Sequence, residues 1–373
     1  MLDSYVKQLF SMRMNYIDTS LIRKMFDLAQ RLRNPINLSI GQPHFPTPQP
    51  IIEAMYQALK DGKTSYTITQ GIKELREKLV EKFSQKNQIQ TSSDKIIVSS
   101  GVSSLLFLIF MSLIDEGDDV LLIEPAFLIY RGLTSFFRAN EILLNQNFQK
   151  ADLENLKFRR LKLILFSTPS NPTGYILKKD QIQALAELAD KTGALLVSDE
   201  IYELYDYEKK FISPGSIYPH TLTLMGFSKS YSMTGLRLAA ATGPKSIIEG
   251  LIKLQQYTVV CAPTPVQYAG ITALDLDISD YIKYYHENRD LLKTHLKQLT
   301  DFYEPEGAFY VFARVPSKYS DMEFSEKALE ENLILVPGRI FCNETQWIRI
   351  SYAVDRDVLQ EGIQKLEKLY KDY

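Results

Sequence analysis

The sequence predicts an α/β protein: a large domain on a mostly parallel central sheet, with a smaller α+β domain beside it. Three observations carry this. Six short apolar segments, Lys95–Ser100, Asp119–Ile123, Lys162–Phe166, Ala194–Ser198, Leu222–Phe227 and Leu238–Thr242, run continuously rather than alternating. Helix-like stretches lie between them. Past about residue 280 that rhythm gives way to a mixture of strands and helices.

Continuous apolar strands are expected where helices cover both faces of a sheet. Strand, helix and strand in alternation read as an open α/β sheet. The run Leu105–Ile114 is about half the length of a membrane span, so it reads as a buried helix. The stretch Lys179–Lys191 is amphipathic, opens with Asp180 and stops at Gly193, a C-terminal cap signal. In the last third, Ser279–Thr300 reads as one long helix capped by Ser279. After it come an apolar run at Gly307–Phe312, a helix near Glu323–Glu331, a strand at Trp347–Ser351 and a closing helix from Asp355. The first 45 residues hold no strand pair of their own and are expected to pack on this part. The expected division is therefore a large domain, 46–280, and a small domain made of 1–45 and 281–373.

A chain of 373 residues has room for such a pair of cores. Apolar residues at 45 % and charged residues at 24 % exclude a disordered class. A net charge of −2 gives no attraction for nucleic acid or an anionic membrane. Cys261 and Cys342 are far apart and make no metal-ligand spacing, which suits a reducing compartment and predicts no metal. The start, Met1-Leu2-Asp3-Ser4, lacks the pattern of a signal peptide. A soluble cytoplasmic protein is expected, with no nucleic-acid or membrane partner.

In open α/β sheets, ligands bind beyond the carboxyl ends of the strands. Five of the predicted strands end in residues with chemical capability. Gly101-Val102-Ser103 follows the first, and Pro125-Ala126-Phe127 closely follows the second. Asn171-Pro172-Thr173-Gly174 lies beyond the third, Asp199 directly follows the fourth, and Ser228-Lys229 follows the fifth. Each alone has a plain structural use, as a turn, a cap, a core aromatic or a surface charge. If the strands are parallel, all five face one rim. Together the groups have a specific chemistry. A desolvated amine near cations can form an imine with a carbonyl. A buried carboxylate can keep a pyridine nitrogen protonated, and an aromatic face can stack on the ring. A helix start and an arginine can hold a phosphate.

The segment Gly226-Phe227-Ser228-Lys229-Ser230-Tyr231-Ser232-Met233-Thr234-Gly235-Leu236-Arg237 resembles the lysine signature of the fold-type I, class I/II aminotransferases, the aspartate aminotransferase superfamily. Its arginine falls eight residues after the lysine, as in that family. Ile40-Gly41-Gln42-Pro43, Tyr66, Asn171-Pro172-Thr173-Gly174, Asp199-Glu200-Ile201-Tyr202 and Trp347-Ile348-Arg349-Ile350-Ser351 follow in the family's order. The resemblance implies the fold-type I architecture and pyridoxal 5′-phosphate as cofactor, carried as a Schiff base on Lys229. It implies Asp199 at the pyridinium nitrogen, Tyr202 and Asn171 at the ring oxygen, and Phe127 on the ring face. It also implies a phosphate site from Gly101, Val102, Ser103, Ser228 and Arg237. Tyr66 would reach the phosphate of a neighbouring subunit, which implies a homodimer with shared sites. Arg349 would clamp the substrate α-carboxylate, helped by Asn171 and the backbone at Gly41.

Arg349 also stands out without the resemblance. It interrupts an apolar run, where a buried unpaired guanidinium is costly and a carboxylate ligand is one remedy. Two positions depart from aspartate-preferring relatives. Ser103 stands where a lysine is frequent, and Ala126-Phe127 where larger aromatics are frequent. The implied reaction moves an amino group from an L-amino acid (aspartate, aromatic or another neutral one) to a 2-oxo acid such as 2-oxoglutarate. A carbon–sulfur β-lyase or another enzyme of Cα chemistry on the same fold is the alternative. A cofactor-sensing regulator would need a DNA-binding module for which the N-terminal segment is too short. A nucleotide-binding protein would need a glycine-rich fingerprint, and none follows the first strand.

Overall fold

A computed structural model describes residues 9–17 and 32–371. Its first strand, β1 (Ile36–Asn37), belongs to a small sheet described below. The next seven form the central sheet: β2 (Ile96–Ser99), β3 (Asp119–Glu124), β4 (Asn140–Asn145), β5 (Leu161–Ser167), β6 (Leu195–Asp199), β7 (Thr221–Gly226) and β8 (Ala239–Thr242). Their spatial order is β2–β8–β7–β6–β5–β3–β4. Six run the same way, and only β8 is antiparallel to its neighbours β2 and β7. The carboxyl ends of β2, β3, β5, β6 and β7 therefore share one rim.

One strand here was not predicted. β4 is an edge strand with a partly exposed face and holds only three consecutive apolar residues, Ile142, Leu143 and Leu144. A search for doubly covered strands passes over it. The buried helix expected near Leu105–Ile114 is Val102–Leu113, whose Leu105, Leu106, Leu108, Ile109 and Phe110 pack against the strands. Among the described residues no helix is long and apolar enough to cross a membrane. The helix Lys179–Thr192 ends at Gly193 with φ +72°, the left-handed cap its sequence signals.

The later region builds a second sheet and core. β9 (Phe302–Tyr303), β10 (Tyr310–Arg314), β12 (Val336–Pro337) and β13 (Trp347–Ser351) pair antiparallel in the order β12–β13–β10–β9. β11 (Leu333–Ile334) pairs in parallel with β1. The long helix is Ser279–Leu296, shorter than expected at its end. Ser279 is its first residue and not its cap. The Asp277 carboxylate accepts the Ser279 N–H at 2.9 Å, so a stronger acceptor two residues earlier takes the capping place. Leu38, Tyr285, Phe309, Tyr310, Ile348, Ile350 and Leu359 share one core here, separate from those against the central sheet. Ser351 N–H donates to Leu38 carbonyl at 2.7 Å, which ties residues before the central sheet to β13. The expectation for the first 45 residues lies partly outside the described residues, at 1–8 and 18–31.

Candidate active site

The rim of the central sheet and the middle of β13 face one another across a cavity of about 270 Å³. β2 leads through Gly101 into the helix Val102–Leu113, which brings Val102 and Ser103 to the cavity as first-turn residues. β3 leads to Phe127, which precedes the helix Leu128–Phe136 and meets Tyr130 edge-on at 5.8 Å. Asp199 closes β6, and Lys229 lies in a short turn of helix, Phe227–Ser230, directly after β7. Gly41, Val102, Ser103, Phe127, Asn171, Asp199, Tyr202, Ser228, Lys229, Arg237 and Arg349 all line the cavity. Two expected residues do not. Gly101 sits behind Arg237, and Tyr66 is 85 % exposed, away from this cavity.

Lys229 Nζ donates to the Gly41 carbonyl at 2.6 Å. Its pKa is pushed down to about 8, first by burial and then by the Arg349 and Arg237 charges, against the pull of Asp199. Asp199 moves the other way. Burial raises it to about 6, although Tyr130, the Ile201 N–H and Lys229 all favour the anion. Tyr130 Oη donates to its Oδ2 at 2.7 Å, and Ile201 N donates to its Oδ1 at 3.2 Å.

Arg349 is buried, and the groups it bonds are neutral. Its Nη1 donates to Asn171 Oδ1 at 3.0 Å and its Nη2 to the Ser39 carbonyl at 2.7 Å. Its guanidinium lies 4.4 Å from the Tyr310 ring centroid, and its Nε is buried with no hydrogen-bond partner. It makes no ion pair among the described residues. A buried cation left this way calls for a carboxylate ligand.

Opposite it, Gly101 has φ +92°, and a Cβ there would stand 2.4 Å from Arg237 Nη2. Any side chain there would push that guanidinium away from the start of the helix. Val102 and Ser103 open the helix, so their N–H groups have no carbonyl a turn earlier to bond. Three cations, Lys229, Arg237 and Arg349, share the cavity with one carboxylate, Asp199. The surplus suits ligands that carry two separate anionic groups.

Sequence reasoning missed two tyrosines here, Tyr130 and Tyr310. Tyr130 lies three residues past Phe127, one helical turn from a rim position, so its place was inferable. Tyr310 enters from β10 and reads in sequence as one more core aromatic. Ser39, Ser167, Leu106, Leu128 and Ile201 complete the lining.

These groups suit the cofactor the resemblance implies. An enclosed amine can take up its carbonyl, and a buried carboxylate can face its pyridine nitrogen. A glycine cradle, beside an arginine and a helix start, suits its phosphate. The model of the family described as aminotransferase class I and II matches residues 33–366. A probable aspartate aminotransferase of Methanocaldococcus jannaschii is 37 % identical over 97 % of this chain and 100 % of its own. An aromatic-amino-acid aminotransferase of Thermococcus litoralis is 31 % identical over 96 % of this chain and 98 % of its own. The solved structure of a single mutant of Thermus thermophilus aspartate aminotransferase superposes with a TM-score of 0.91, at 30 % identity, over 96 % of this chain and 99 % of that one. Match, fold and donor set agree: the chain belongs to the class I and II aminotransferases and is a fold-type I, pyridoxal-phosphate-dependent enzyme.

Proposed function

We propose that this enzyme transfers the amino group of an L-amino acid to a 2-oxo acid, with Lys229 as the group that binds the cofactor and moves the proton. The observation that carries this is the Lys229 amine just past β7, lining one cavity with Asp199, Arg237 and Arg349 and lowered by burial to a pKa of about 8. Against a usual value of 10.5, that shift gives roughly 300-fold more neutral amine at pH 7. Bound pyridoxal phosphate supplies a carbonyl that captures amines and a ring that draws electrons from the carbon bearing the nitrogen.

The protein's own groups divide the remaining work. Lys229 Nζ would bind the cofactor carbonyl and, as a neutral amine, would take and return the proton at the substrate Cα. Asp199 holds the proton on the ring nitrogen, and Tyr130 and the Ile201 N–H keep its carboxylate aimed. Tyr202 and Asn171 bond the ring oxygen, and Phe127 covers the ring face. The Val102 and Ser103 N–H groups, Ser228 and Arg237 hold the phosphate, with Gly101 leaving the space. Arg349 grips the substrate α-carboxylate with its free Nε, steadied by Asn171 and by the backbone at Gly41.

Aspartate, an aromatic amino acid or another neutral one is the proposed donor, and 2-oxoglutarate the acceptor. Relatives named for aspartate and for aromatic amino acids support that range. Leu106, Phe127, Leu128 and Ile201 give the cavity an apolar wall, and Ser103 adds no charge, which favours the neutral end.

The proposed assembly is a homodimer in which Tyr66 of the partner subunit reaches the phosphate. Tyr66, Ile68 and Tyr257 are exposed, and their segments are tied by the bond from Gln255 Nε2 to the Thr69 carbonyl at 2.7 Å. An exposed apolar patch of this kind suits a second copy. We further propose the domain division 46–280 against 1–45 with 281–373, and, on the two unpaired cysteines, a cytoplasmic location.

The deciding experiment is a screen of half-reactions. Each amino acid is added to holoenzyme without acceptor, and the visible absorbance is followed. Its stoichiometric loss with release of a 2-oxo acid supports transamination. Sustained release of ammonia with the absorbance regained means a lyase.

A further inference from the structure

Tyr310 is wholly buried at the start of β10 and touches three functional groups at once. Its hydroxyl is 2.9 Å from that of Tyr202. Its ring carries the Arg349 guanidinium at 4.4 Å. A Cβ on Gly41, whose carbonyl receives Lys229 Nζ, would come within 2.8 Å of the same hydroxyl.

We infer that Tyr310 is a positioning residue for transamination: its hydroxyl donates to Tyr202 while its ring seats Arg349, so one side chain aligns the cofactor edge with the carboxylate clamp. The inference rests on the proposed place of Tyr202 at the ring oxygen. A phenol has one proton to give and can also accept. With the Tyr202 proton committed to the ring oxygen, the contact between the hydroxyls leaves Tyr310 as donor. Burial pushes both phenols up, so both keep their protons near neutral pH. Two hydrogen bonds in series polarise one another, which makes Tyr202 a stronger donor than a lone phenol. The Arg349 charge over the ring acts in the same sense, because it favours the Tyr310 anion and so makes its hydroxyl the better donor. The ring in turn gives the guanidinium an electron-rich face and leaves Nε for the ligand.

Tyr310→Phe tests this in the holoenzyme, because it removes one oxygen and keeps the ring. A weaker donor leaves more negative charge on the cofactor's ring oxygen, which holds a neighbouring proton to higher pH. The midpoint of the visible absorbance against pH should rise by about 0.5 unit. Turnover should fall about three- to tenfold, with KM for the donor within about twofold. Tyr202→Phe should raise the midpoint further, and Tyr310→Phe added to it should change little more, since the chain is already cut. Tyr310→Leu removes the face as well and should raise KM. The inference is overturned if Tyr310→Phe alters only the melting temperature, or if the two Phe substitutions shift the midpoint additively. Wild-type protein with no visible absorbance after addition of pyridoxal phosphate would instead sink the reading of Lys229 itself.

Discussion

Replacing Gly101 with alanine separates two roles that one glycine plays. Its backbone, at φ +92° and ψ 158°, lies in a region that side chains rarely enter, at a cost of about 1–3 kcal/mol. The new methyl would also stand 2.4 Å from Arg237 Nη2 and 2.9 Å from its Cζ. The guanidinium is the far end of a flexible side chain, so it swings aside rather than unfolding the protein. The clash therefore registers as lost cofactor affinity. Losing a charged hydrogen bond of about 1.5–3 kcal/mol weakens binding roughly 10- to 150-fold. Gly117→Ala supplies the control, for Gly117 has φ +84° with nothing within 4 Å of its Cβ position. Both variants should melt a few degrees lower, and only the Gly101 variant should bind pyridoxal phosphate weakly when cofactor-free protein is titrated by visible absorbance. Equal affinity in Gly101→Ala and wild type, or equal weakening in Gly117→Ala, refutes the reasoning.

Three other predictions follow from the same geometry. Arg349→Ala should raise KM for the amino acid about 100-fold or more with a smaller effect on turnover, as steady-state kinetics would show; an effect on stability alone would assign the arginine to the core. Lys229 in cofactor-free protein titrates near 8 instead of 10.5, so between these values the unfolded chain binds the extra proton and stability rises with pH. Lys229→Met should therefore stabilise the cofactor-free protein at pH 7 by about 1–3 kcal/mol, an advantage that shrinks from pH 8 to 10.5 in denaturant titrations; a constant advantage would contradict the shift. Finally, mixing inactive Lys229→Ala with impaired Tyr66→Ala subunits should restore activity, because each hybrid dimer holds one intact site. Mixtures no more active than their parts would rule out shared sites.

The rim was legible because its chemistry sits where continuous apolar segments stop: Gly101 after β2, Asp199 at the end of β6, Lys229 just past β7. Arg349 was legible through incongruity, a cation inside an apolar strand. Of its partners, Asn171 was expected from the resemblance, but the Ser39 carbonyl, 310 residues away in the chain, carries no sequence signal. Tyr310 stayed hidden because an aromatic in the run Gly307–Phe312 has the same signature whether it fills a core or faces a cavity. The reversed direction of β8 was readable in principle. The connection from Gly226 to Ala239 is filled by the lysine turn and leaves no room for a helical crossover, which a parallel strand would need. β4 escaped because an edge strand with one partly exposed face lacks the continuous apolar signal of its neighbours.

The place of β8 also sets a clock on the ribosome. β2 has a single neighbour in the sheet, β8, and Ile96 pairs with Thr242, 146 residues further along the chain. The strand that delivers Gly101 therefore has no neighbouring strand until residue 242 has been made, and before that Gln70 bonds it, taking the Val98 N–H and donating to the Ile96 carbonyl. At ordinary rates of synthesis that wait is roughly 7 to 30 s. Throughout it, the edge of β2 that β8 covers in the folded protein lacks that partner. The cradle glycine is thus carried by a strand whose sheet partner is made much later and contributes no residue to the cavity.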